Sequence, residues 1–87
     1  VNLSSRSASR YALVVRHYDR VGVLAAVLDI LREDQRNVGE MENTVFRGAR
    51  AAVARIQIDS HPSAAVAELL SANENIFSVT VVALEPA

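Results

Sequence analysis

The chain has 87 residues, 51% of them hydrophobic, a net charge of −1, no Cys and no Trp. That is one small globular domain with a thin Ala/Val core, and disulfides, thiol nucleophiles and Cys-bound metals are excluded. All nine basic residues are Arg, spread from Arg6 to Arg55 without aromatic interleaving, so composition argues against a nucleic-acid binder.

Val1 to Ser9 is small and polar and reads as an interdomain linker, leaving residues 10–87 as the domain. Without an initiator Met, a basic leader or an apolar run of roughly 18–20 residues, the chain reads as a cytoplasmic fragment of something longer, with no membrane partner. Arg10 to Arg16 alternates as strand one, with Tyr11, Leu13 and Val15 on one face. After His17-Tyr18-Asp19 the period changes from two to 3.6. Val21, Leu24, Val27, Leu28 and Leu31 then predict a helix over 20–35 with Asp19 as its cap.

Strand two is predicted from Val38 to Phe46, ending at the turn Arg47-Gly48-Ala49. Strand three follows over 50–59, with Ala52, Ala54, Ile56 and Ile58 on the face beneath the helices. Pro62 is placed at the first position of helix two, which turns Val66, Leu69 and Leu70 inward and fades near Asn73. The last strand, Ile76 to Leu84, is rich in β-branched residues.

The order β-α-β-β-α-β predicts an α+β, ferredoxin-like domain with an antiparallel sheet ordered 4-1-3-2 and both helices on one face. Strands two and four become edges. The uncovered face holds Val14 and Val53 with Arg16, Arg55 and Gln57. Those are not the aromatics that base stacking on strands one and three needs.

The chemistry-bearing stretch is the first strand–helix turn. Free N–H groups at a helix start attract an anion, and Gly22 leaves room for close approach. The carboxylate of an amino acid suits donors around Gly22 and Val23. Its ammonium suits Asp19 and the side-chain carbonyl of Asn37, and His17 can donate to a carboxylate or hydroxyl. Plainer roles exist for each: Asp19 as a helix cap, Asn37 as a left-handed residue ending helix one, His17 as an exposed strand end. His61 reads as a loop residue before Pro62. Neither a triad nor a metal site is apparent, so catalysis by this chain is not expected.

His17-x-Asp19-x-Val21-Gly22-Val23-Leu24, with Asn37 at the start of strand two, resembles the ligand motif of ACT domains. These are βαββαβ regulatory modules of amino-acid metabolism, and the resemblance is nearest to the C-terminal domain of D-3-phosphoglycerate dehydrogenases. The family pattern has Asn where Asp19 stands and Pro where Val21 stands. The resemblance covers about Tyr11 to Leu84. It implies an amino-acid effector, serine first, bound by His17, Asp19, Val21, Gly22, Val23 and Asn37. It implies a homodimer paired through strand two and helix one, with each pocket shared between subunits. It also implies a parent oxidoreductase of serine biosynthesis that uses NAD, with no cofactor in this domain. The alternative is a purely structural dimerisation module without a ligand.

Overall fold

The structure, a computed structural model, describes residues 10–48 and 50–84. The expected linker over residues 1–9, Ala49 of the expected turn and the last three residues lie outside them. Six elements follow in order: β1 (Tyr11–Tyr18), α1 (Val23–Glu33), β2 (Val38–Phe46), β3 (Ala51–Ile58), α2 (Ala64–Ser71) and β4 (Ile76–Ala83). The four strands form one sheet ordered β2-β3-β1-β4, and all its pairings are antiparallel. This is the expected split βαββαβ topology, with β2 and β4 at the edges.

Alternation builds the core. Leu13 and Val15 of β1 and Ala54, Ile56 and Ile58 of β3 meet Val27 and Leu31 of α1 and Val66 and Leu70 of α2. Ala52, Ala54, Ile56 and Ile58 are all buried, as the strand-three pattern requires. Two bulges adjust the sheet, with Gly39 extra between Val38 and Glu40. Phe77 is extra between the partners of Arg16 and His17. The second bulge turns the Phe77 ring onto Tyr18, edge to face at 4.4 Å between centroids.

The helices are shorter than the apolar spacing predicts. Helix α1 does not start at Asp19: its cap is Gly22, at φ 87°, which makes no side-chain cap bond. Val21 shares the apolar spacing but precedes that left-handed residue, and it is fully exposed instead of facing the core. The helix ends in a Schellman motif in which Arg36 N–H donates to Leu31 C=O and Gln35 N–H to Arg32 C=O, both at 3.0 Å. The left-handed residue there is Gln35, at φ 59°, and not Asn37.

Helix α2 starts two residues later than a first-position proline would give, capped by Ser63. Only Val66 and Leu70 are buried from it, while Leu69 is 55% exposed. Strand β1 runs two residues further than its sequence pattern, which carries His17 into the sheet.

Candidate functional site

The extension of β1 decides what His17 can do. Its side chain points to the helix side and is 2% exposed. The ring crosses over β3 toward β2, a distance of about 10 Å between strand axes. It passes the small Ala52 and Ala54, which pair with His17 and Asn43 respectively. Nδ1 lies 2.8 Å from the Tyr18 carbonyl oxygen. Nε2 lies 3.0 Å from the side-chain amide of Asn43. Both ring nitrogens are therefore engaged within the chain, and His17 is neither an exposed strand end nor a free donor.

The rest of the corner is open. Asp19 and Arg20 are exposed. The Asp19 N–H donates to the Arg50 carbonyl at 2.8 Å, which ties the corner to the start of β3. Arg20 reaches Asn75 Oδ1 at 2.8 Å and holds its guanidinium 4.4 Å from the centre of the Tyr18 ring. At the helix start, Ala26 N–H donates to Gly22 C=O at 3.0 Å and Val23 N–H to Arg20 C=O at 3.3 Å. The N–H groups of Leu24 and Ala25 have no acceptor among the described residues. They carry the positive end of the α1 dipole. Such an end can hold a small carboxylate.

Asn37 is not part of that corner. It sits beside Asp59 at the other end of the sheet, where its N–H donates to Asp59 Oδ1 at 3.2 Å and its Nδ2 to Oδ2 at 3.1 Å. Its side-chain carbonyl keeps no partner among the described residues. Asn37 lines a shallow cleft of about 430 Å³ with Leu28, Arg32, Gln35, Arg36 and Val38. His17 pairs with Ala52, whereas Val38 pairs with Ile58, six residues along β3. At about 3.3 Å per residue the two places are roughly 20 Å apart. One chain cannot close both around one amino acid.

Two carboxylates at the Asn37 end are shifted. Asp34 is held at about 2 by hydrogen bonds from Arg36 and from the Ser63 hydroxyl and N–H. For Asp59, desolvation acts upward, but donors from Asn37 and Ser60 outweigh it and hold the group below the usual carboxylate range. His61 lies beyond them, its ring edge-to-face with Tyr11 at 5.2 Å. Among the described residues no three His, Asp or Glu gather as a metal site, and no helix is long and apolar enough to cross a membrane.

Asn43 is the residue that sequence reasoning missed. Its one signal is a lone polar side chain between Met41 and Val45 on the face of strand two that carries the apolar residues.

No protein-family model and no curated protein sequence matches the chain. Solved structures do match, at the level of fold. A formyltetrahydrofolate deformylase from Pseudomonas putida is 18% identical with a TM-score of 0.69, over 86% of this chain and 29% of that one. A homoserine dehydrogenase from Thiobacillus denitrificans is 20% identical with a TM-score of 0.69, over 88% of this chain and 17% of that one. The ACT domain of a GTP pyrophosphokinase from Chlorobium tepidum is 10% identical with a TM-score of 0.66, over 85% of this chain and 97% of that domain. The chain thus spans less than a third of the two enzymes and nearly all of the isolated ACT domain. Together they establish the ferredoxin-like fold that this chain shares with an ACT domain.

Proposed function

We propose that the chain is a non-catalytic, ACT-type effector domain that binds a small amino acid between two copies of itself. The supporting observation is the β1–α1 corner. Gly22 in the left-handed region starts a helix whose Leu24 and Ala25 N–H groups lack acceptors, beside an exposed Asp19. The carboxylate of the ligand goes to those N–H groups and its ammonium to Asp19. The separation of Asn37 from the corner supports a shared pocket. Antiparallel pairing of β2 with its copy sets the start of one strand against the end of the other. Asn37 of one subunit then approaches the corner of its partner. Val38, Met41, Val45 and Phe46 are exposed along β2 and supply the apolar surface for that pairing.

Serine is the first candidate effector, and a dehydrogenase of the phosphoglycerate type the first candidate parent, on the motif His17-x-Asp19-x-Val21-Gly22-Val23-Leu24. Asp19 sets the condition. At an effective dielectric near 20, a like charge at 4 Å costs about 4 kcal/mol and an opposite charge gains as much. The domain therefore binds an amino acid only with the Asp19 carboxylate turned to the ammonium.

Calorimetric titration of the chain with each of the twenty amino acids, alongside Asp19→Asn, tests this. Binding of a small polar amino acid, weakened about tenfold or more in Asp19→Asn, is expected. Absence of binding in both proteins, with a dimer still seen by sedimentation, would leave a purely structural pairing module. The exposed β2 edge favours that second reading.

A further inference from the structure

We propose that the uncovered face of the sheet carries a second small-molecule site, a trough over β3 that takes a small aryl carboxylate with its charge on Arg16. The trough lies on the opposite side of the sheet from His17, and it stands independently of the effector reading for the β1–α1 corner.

Residue size at a few register positions makes the trough. Arg16 pairs with Val53 and Tyr18 with Ala51, so two short side chains of β3 stand beside long ones of β1. Across the other edge of β3, Phe46 pairs with the same Ala51 and Thr44 with Val53. The bulge in β4 brings the Phe77 ring against Tyr18. The result is an open cleft of about 280 Å³, floored by Ala51 and Val53 and walled by Phe46, Phe77 and Arg16. Phe46 and Phe77 are each about half exposed, so both rings have surface left to cover.

Width and volume select a flat, small body. β1 and β2 are two strand spacings apart, about 10 Å between axes. A ring touching both walls needs about 7–8 Å, two carbon contacts of about 3.5–4.0 Å each. The cleft is at the lower limit of small-molecule sites, which begin near 300 Å³, so its occupant has one or two rings. Phe46 and Phe77 favour an aromatic body over an aliphatic one, through edge-to-face or offset contact.

Charge selects the rest of the ligand. Arg16 is exposed and has no hydrogen-bond or ion-pair partner among the described residues. No carboxylate lines the cleft. The nearest on this face, Glu42, stands opposite Arg55, two strands and one row away from Arg16. An unanswered guanidinium at the rim of an apolar trough suits a carboxylate, which accepts two parallel N–H bonds from it. An ammonium finds no acceptor there and is repelled by Arg16. The trough therefore prefers desamino acids, whereas the corner offers Asp19 to an ammonium. Pairing through β2 extends the sheet in its own plane, so a dimer of that kind leaves this face open.

Four matched probes, followed by amide chemical-shift mapping and calorimetric titration of the chain, test the assignment. They are 3-phenylpropanoate, L-phenylalanine, 3-phenylpropanamide and 3-cyclohexylpropanoate. The first should shift the amides of Arg16, Phe46, Val53 and Phe77 and leave those of Leu24 and Ala25 in place. Adding the ammonium or removing the charge should weaken binding at the trough about tenfold or more, and saturating the ring about two- to tenfold. Arg16→Gln should weaken 3-phenylpropanoate about tenfold or more, with part of the loss restored in Arg16→Lys. Ala51→Leu, which fills the floor, should abolish binding in a protein with an unchanged circular dichroism spectrum. No binding by 3-phenylpropanoate, shifts at Leu24 and Ala25 instead, or an affinity unmoved by Arg16→Gln would overturn the proposal. Trough amides that move on dilution and not with ligand would also overturn it, because a second copy then covers this face. None of these results depends on whether serine binds at the corner.

Discussion

The two ends of the sheet treat their polar groups in opposite ways. At the Asn37 end the charged groups Asp34, Arg36 and Asp59 are all answered from within the chain. Asp34 accepts from Arg36 Nε at 2.8 Å and from the Ser63 hydroxyl and N–H at 2.7 and 3.1 Å. Arg36 also donates to Ser60 Oγ at 2.6 Å, and Ser60 to Asp59 at 3.1 Å. That network ties the end of α1 to the start of α2, a structural duty that needs no ligand. At the β1–α1 corner, two backbone donors and one carboxylate are left over. Leftover polarity beside a rigid strand end is what a binding site offers, so the corner holds the ligand in this reading and the far end contributes only Asn37 across a dimer.

The largest effect comes from removing what both ends share. Leu31 is fully buried between the helices and the sheet, and it also closes the Schellman motif below Asp34. Leu31→Ala should cost about 2–5 kcal/mol in urea unfolding through lost burial and a cavity. Backbone amide exchange should speed up at both ends. A loss confined to one end would mean that the two are separately supported.

A smaller substitution separates them. Gly22 sits at φ 87°, and a Cβ added there would meet nothing within 4 Å. The cost of Gly22→Ala is therefore conformational, about 1–2 kcal/mol, and exchange should quicken in the first turn of α1 while the Asp34 end stays as it was. An unchanged unfolding midpoint would argue that the corner does not need the left-handed turn, and would weaken its claim to be a preformed anion site.

This contrast was only half legible in the sequence. The element order and the bounds of β2 follow from clean alternation and from the turn at Gly48, and the buried row Ala52-Ala54-Ile56-Ile58 reads off directly. The helix starts were misplaced for a physical reason. Val21 and Leu69 fit the apolar spacing, but spacing carries no information on where a left-handed glycine or a serine cap begins the helix. The His17–Asn43 pair was invisible for another. Its members are 26 positions apart, and they meet only because the β1–β3 and β2–β3 registers set two alanines between them. Register is a property of the assembled sheet. Asn37 stood out as a motif residue, yet nothing local to it announced that Asp59 would occupy its NH2.

The gentlest test acts on the satisfied end alone. Asp34 has its folded value lowered from 3.8 to about 2, chiefly by the hydrogen bond from Arg36 and then by those from Ser63. A carboxyl depressed in the folded state binds its proton less readily there than in the unfolded chain. Its contribution to stability is therefore fully present above the unfolded value near 3.8 and is lost as pH falls through about 2. Wild type should lose stability over that window, followed by circular dichroism at fixed urea. Asp34→Asn cannot take up this proton and should show a shallower acid limb, with the lowered Asp59 supplying what remains of it. Because an Asn oxygen can still accept from Ser63, the variant should lose little at neutral pH, less than Gly22→Ala does. Equal acid limbs in the two proteins would mean that Asp34 is not held ionised by its partners, and the Asn37 end would lose its standing as the self-satisfied half of the molecule.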